Sequence, residues 1–329
     1  MKYIIHITII LVLSNLAHSE NEAVTKVATC AANWLKIENG VRGISMGGSQ
    51  VASGRGMTGV HYNPAALAFI KGSEVFYSKS YYLADISHNT LAYGTRLSPT
   101  DYFGLHLFYL NSGSMAVTTE EEPDGTGEFF QVMNLSLRLT YARQLTDRLR
   151  VGGALKYIRE QIFTAYMQSF VFDIGSNFDT GIYGMILGMS VSNFGPDVQF
   201  HGEGLEIVVS DTTSRDGKLS KITKKFSVPL TFRLGIQKDV WIGGVDDMDR
   251  LTMSIDGINP IDYIVYGGLG VEYSWRDMAY VRGGTRIGHD TAGLSAGGGV
   301  KIRGIMVDYA YVNYGILNET HQFGISLEF

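Results

Sequence analysis

Asn134-Leu135-Ser136-Leu137-Arg138-Leu139-Thr140-Tyr141 puts Leu, Leu, Leu and Tyr at one set of alternate positions and Asn, Ser, Arg and Thr at the other. Successive side chains of a β-strand point to opposite faces, so this stretch is a strand with one apolar and one polar face. The pattern recurs. Phe226, Val228, Leu230, Phe232, Leu234 and Ile236 alternate with Ser227, Pro229, Thr231, Arg233, Gly235 and Gln237. Val265, Gly267, Leu269, Val271, Tyr273 and Trp275 alternate with Tyr266, Gly268, Gly270, Glu272 and Ser274. Extending the same reading in both directions predicts about fourteen strands, at 73–82, 85–97, 102–110, 129–144, 148–162, 166–178, 184–193, 226–238, 250–257, 264–275, 278–287, 292–302, 305–312 and 320–329. A soluble sandwich or propeller also alternates. It seldom sustains about ten alternating residues in so many strands, because its strands are short. The expected fold is all-β: a transmembrane outer-membrane barrel of about 14 antiparallel strands, the even count that single-chain bacterial barrels require.

The joints between these segments are unequal. Those at 98–101, 145–148, 276–277 and 303–304 are tight, whereas 111–128 and 194–225 are long. If the N-terminal part starts on the periplasmic side, the tight joints are periplasmic turns and the long ones external loops, the usual asymmetry. The joint 239–249 is the exception, long on the side expected to be short. The polar phase of the strands carries Arg138, Lys156, Asp173, Arg233, Asp256, Glu272, Arg282, Arg286, Lys301, Asp308 and Glu328. A Lys or Arg facing lipid at the bilayer midplane would cost about 2–4 kcal/mol, so these belong to the lumen. Mixed signs with no run of one sign give little ion selectivity, which favours a salt-bridge network over a permeation path for ions. In the last strand Phe323, Ile325, Leu327 and Phe329 share one face. That ending resembles the C-terminal signal read by the machinery that assembles outer-membrane barrels, an expected partner during biogenesis.

Residues 1–19 have one early Lys2, an apolar core from Tyr3 to Leu13 and Ala17-His18-Ser19, the features of a secretory signal peptide too short to span a membrane well. The expected location is the outer membrane of a Gram-negative type cell, with membrane lipid as a partner. The 329-residue chain has 40 Gly, 19 Tyr and 16 Phe but a single cysteine, Cys30, so no internal disulfide holds it. A net charge of −5 argues against nucleic acid as a partner.

Residues 20–72 precede the first strand, leaving 73–329 for the barrel. Their densest part, 41–67, is too rich in glycine for a stable strand or helix of its own, and we expect it to be a hatch or plug held inside the barrel. Its motif residues are Gly43, Met46, Gly47 and Gly48, then Asn63, Pro64 and Ala65. Asn63 is expected to cap a short helix with Pro64 at its first position, where the missing N–H costs nothing. Gly43-Ile44-Ser45-Met46-Gly47 fits a serine-nucleophile elbow and 54–59 fits a dinucleotide-binding glycine pattern. Neither has the flanking strand and helix its chemistry needs. The histidines are scattered, metal-ligand clusters are absent, and the acidic runs at 120–122 and 246–249 lack calcium-loop spacing. No catalysis and no cofactor are expected.

Ala31-Ala32-Asn33-Trp34-Leu35-Lys36-Ile37, Gly43-Ile44-Ser45-Met46-Gly47-Gly48, Tyr62-Asn63-Pro64-Ala65-Ala66-Leu67 and Leu83-Ala84-Asp85-Ile86-Ser87 together resemble the PorV/PorQ family of outer-membrane proteins. Later segments, among them 192–196, 232–236 and 307–311, extend the likeness over nearly the whole mature chain. That family is similar in turn to FadL-type fatty-acid channels, fourteen-stranded barrels whose N-terminal hatch carries an Asn-Pro-Ala motif. Ala66 departs from the glycine that more often follows this motif. The resemblance implies a platform or shuttle of type IX secretion, with a secretion-system or cargo protein as partner. Alternatively it implies a passive channel for a hydrophobic small molecule such as a fatty acid.

Overall fold

A computed structural model of the chain describes residues 27–210, 216–244 and 248–329. The signal peptide expected at 1–19 lies outside them. Fourteen strands form the wall: β1 (Ser73–Tyr81), β2 (Ser87–Arg96), β3 (Asp101–Asn111), β4 (Val132–Gln144), β5 (Leu149–Ile162), β6 (Ala165–Asp179), β7 (Ile186–Phe194), β8 (Thr231–Gly243), β9 (Asp249–Pro260), β10 (Tyr266–Trp275), β11 (Ala279–Ile287), β12 (Leu294–Ile302), β13 (Ile305–Asn313) and β14 (Glu319–Glu328). Each pairs antiparallel with its neighbours in sequence, and β14 closes onto β1 from Glu74 opposite Glu328 to Tyr81 opposite His321. The result is a closed barrel without an exposed edge. Its outward positions are apolar, as in Leu91, Phe172, Ile255 and Val281, and its inward positions largely polar. A hydrocarbon solvent imposes that pattern on a wall whose backbone groups are all paired between strands. Among the described residues no helix is long and apolar enough to cross a membrane.

All fourteen expected segments form strands, but the eighth is displaced. It begins at Thr231 rather than 226 and runs on to Gly243. Pro229 has no N–H to give to a ladder, which confines proline to strand ends and edges. Phe226 bridges Val198 instead, and β8 passes through a bulge at 239–241. The joint that broke the asymmetry therefore shrinks to 244–248. The joints at one end of the barrel, which follow the even-numbered strands, are now all short, and the long ones, 112–131 and 195–230, share the other end. The pairing of β6 with β7 is irregular, with a register shift between Phe172 and Ile174. Nearer the long-loop end, β6 pairs with His201 and Gly202 of the 195–230 joint instead.

Residues 28–70 run through the lumen. The expectation that this segment starts at the short-turn end is corrected: Ala31 N–H donates to Ser227 O of the long 195–230 joint at 3.0 Å, and the segment leaves at Gly72 beside the start of β1. An apolar seat receives it at the long-loop end, where the Trp34 ring stacks on Phe108 at 5.8 Å among Leu110, Ile158, Met167 and Val171. Four short helical turns follow one another, at Asn33–Lys36, Val41–Ser45, Gly56–Gly59 and Pro64–Phe69. A second apolar cluster joins Val41, Ile44, Met57 and Leu67 to Phe76, Ala92 and Ala142 of the wall.

Candidate functional site

Asn63 is fully buried and tied on every side. Its Oδ1 accepts from Ala65 N–H at 3.0 Å, capping the Pro64–Phe69 turn of 3₁₀ helix with Pro64 at the first position. Its Nδ2 lies 2.7 Å from Val51 O, 3.0 Å from Ser176 O and 2.9 Å from Asn177 Oδ1, so one side chain joins two parts of the inner segment to β6. Gly47 and Gly48 have φ of 65° and 79°, a left-handed turn that most side chains disfavour. Gly47 N–H donates to Ser295 Oγ at 3.0 Å, and Ser295 Oγ donates to Ser45 O at 3.2 Å. Met46 is fully buried, and a Cβ on Gly43 would collide with the Tyr62 ring. Ser45 Oγ donates to Arg42 O at 2.8 Å inside this packing, and among the described residues no histidine is bonded to it.

The wall accommodates this backbone with inward-facing glycines. A Cβ would strike Pro64 from Gly152, Asn63 from Gly175, Val51 from Gly188 and the Met46–Gly47 peptide from Gly284. Much of the glycine content therefore reflects close approach of two backbones at mid-barrel.

The lumenal charges form separate groups. Asp173 pairs with Lys156 at 2.7 Å and with Arg138 at 3.2 Å, linking β4, β5 and β6 within the wall. Arg138 also donates to Val60 O at 3.0 Å, and Arg233 sits over the Tyr62 ring. Glu272 is shared by Arg282 of β11 at 2.6 Å and Arg42 of the inner segment at 2.8 Å, and Arg282 continues to Asp308. Asp256 accepts from Val51 N–H at 2.7 Å. Arg286 pairs with Glu38 at 2.8 Å. Lys301 stands apart, partly exposed, 2.9 Å from Glu328. Phe323, Ile325, Leu327 and Phe329 all point outward.

Two cavities lie on opposite sides of the inner segment. The outer one, about 420 Å³, opens among the joints at the long-loop end and is lined by Ile37, Ile44, Tyr82, Tyr263, Tyr266 and Tyr314. The inner one, about 880 Å³, lies at the short-turn end and is lined by charged groups, among them Arg42, Asp239, Glu272, Arg282 and Lys301. Ile44 faces the first and Arg42 the second, so the single turn Val41–Ser45 stands between them.

Sequence reasoning missed the partners supplied by the inner segment. Glu38 and Arg42 are the only charged residues from 37 to 54, a signal that each needs a lumenal counter-charge. It also missed the apolar seat of Trp34, although the unbroken apolar run 107–110 at the end of β3 departs from alternation. Glu160 accepts from Trp34 Nε1–H at 3.2 Å and from Ala32 N–H at 3.0 Å, completing that seat. Among the described residues no cluster of side chains has metal-ligand geometry.

No protein-family model matches the chain, and no curated protein sequence does. Solved structures do. The Pseudomonas putida toluene transporter TodX is similar with a TM-score of 0.58 at 13% identity, over 88% of this chain and 96% of that one. The CymD monoaromatic hydrocarbon channel gives 0.57 at 13% identity, over 88% and 97%. A Pseudomonas aeruginosa FadL homologue gives 0.52 at 13% identity, over the same shares. The chain has the fold of these FadL-like barrels. None of them is described as a PorV or PorQ protein or as part of a secretion system.

Proposed function

We propose that the chain is an outer-membrane channel through which small apolar molecules enter, with the inner segment as its hatch. The observation that carries this reading is the division of the lumen: an aromatic cavity at the long-loop end is parted from a larger charged cavity by one helical turn. A molecule leaving the aromatic cavity for the charged one must pass that turn. The hydrocarbon-channel descriptions of TodX and CymD support the same reading, whereas the secretion-platform reading draws no support from the neighbours. The mixed-sign, mutually paired charges act here as ties between hatch and wall, which fits a channel that does not select ions.

The test is to purify the protein from outer membranes in mild detergent and identify by mass spectrometry everything that remains bound. The channel reading expects apolar small molecules and no stoichiometric protein partner. A stoichiometric partner protein with no apolar ligand would overturn it.

A further inference from the structure

Two cations reach the outer cavity, Lys36 and Arg286, and both are already paired. Lys36 lies 2.7 Å from Asp262, a side chain that is almost wholly buried. Arg286 lies 2.8 Å from Glu38, also buried. The carboxylates are engaged in turn. Glu38 accepts a further bond from Tyr62 OH at 3.2 Å, and Asp290 accepts from Tyr263 OH at 2.6 Å. His289 adds no charge: its Nδ1 accepts from the N–H groups of Ala292 and Thr291 at 3.1 and 3.3 Å, which leaves the proton on Nε2. Burial, and then Arg286, keep its pKa below the ordinary value.

The remaining surface suits a ring. Tyr266 meets His289 edge-on at 5.0 Å, Tyr82 meets Tyr314 at 6.0 Å and Tyr263 meets Tyr266 at 6.1 Å. Such edge-to-face clusters favour a further aromatic ring, and hydroxyl and Nε2–H groups remain for one polar substituent. A ligand carboxylate could reach Arg286 only by displacing Glu38, which would leave a buried charge unpaired. A ligand cation would find Glu38 and Asp262 already paired with Arg286 and Lys36, and the exposed Asp290 would attract it only through water-screened charge.

We propose that Glu38 is the specificity-determining residue of the outer cavity, making it a site for uncharged ring compounds and excluding carboxylates. This rests on the channel reading above and narrows its substrate class. Calorimetric titration of the detergent-solubilised full chain with cresol, benzoate and benzylamine, corrected for micelle partition, decides it. Cresol binds, and both ions bind at least about tenfold more weakly, a gap of about 1.4 kcal/mol. In Glu38→Gln, Arg286 loses its internal partner and benzoate affinity rises by about tenfold or more. Benzoate or benzylamine matching cresol on the wild-type protein overturns the assignment and leaves the channel reading standing, as does a benzoate affinity unmoved by Glu38→Gln. If none of the three binds, the cavity is no ring site, and the channel reading loses its outer station with the inference. The wild-type ranking decides whether the cavity excludes ions even if Glu38→Gln fails to fold.

Discussion

The inner segment meets the two halves of the wall by different means. Against β8 to β14 it makes all of its ion pairs among the described residues, including Arg42 on Glu272 and Glu38 on Arg286, with Val51 N–H on Asp256, and it also packs Met46 and Gly47 closely on Gly284. Against β2 to β7 it is held by shape: Trp34 in its apolar seat, Leu67 and Met57 against Gly94 and Gly104, and Asn63 bonded into the backbone of β6. An ion pair lining a polar cavity, as Arg42 with Glu272 does, can exchange its partner for water, whereas a buried backbone carbonyl that loses a donor cannot turn to solvent. On the channel reading, the ion-paired half is the side from which the segment would be released and the packed half the side on which it would stay.

Substitutions can break that contrast. Glu272→Ala should have the largest effect, because it removes a carboxylate shared by two guanidinium groups, leaving Arg42 without an ion pair among the described residues and the almost fully buried Arg282 with Asp308 alone. Removing one partner of a buried pair costs about 3–5 kcal/mol, and water in the inner cavity should bring this to the low end. The expected result is a lower unfolding temperature in detergent, read by heat-dependent gel mobility, with faster amide exchange at 41–45. An equal rise in exchange at 63–69 would mean the halves are not independent. Asn63→Ala comes next, at about 2 kcal/mol for the lost cap and the lost bonds to the Val51 and Ser176 carbonyls. Its exchange should rise at 51–69 while 41–45 stays protected. Lys301→Ala should be smallest, below about 1 kcal/mol, since its pair with the exposed Glu328 touches no part of the segment. A large loss there would mean that lumenal charge in general, rather than contact with the segment, sets stability.

The outward face of the wall was legible because lipid accepts only apolar side chains there, so that Leu137, Leu139 and Tyr141 announce their phase without reference to any partner. The one strand misplaced, β8, was misread because Phe226 and Val228 continue the alternation across Pro229, which alternation alone does not penalise. The inward face was less legible. Its polar phase identified Asp173, Glu272 and Arg286, yet their partners lie more than a hundred residues away for Arg42 with Glu272 and Glu38 with Arg286. Asn63 was readable as a cap because that bond is local. Its ties to Ser176 and Asn177 were not, because nothing in the sequence states which glycines of the wall the segment touches. The direction of the segment through the lumen was misjudged for the same reason: the seat of Trp34 is assembled from β3, β5 and β6.

The most direct measurement is flux across proteoliposomes whose outer leaflet is lipopolysaccharide, comparing labelled toluene with arabinose. The account predicts that the wild-type protein speeds toluene entry but not that of the sugar. It also predicts that removing 41–59, which joins the two cavities, admits both. Wild-type entry of arabinose as fast as toluene, or no acceleration of toluene at all, would contradict it.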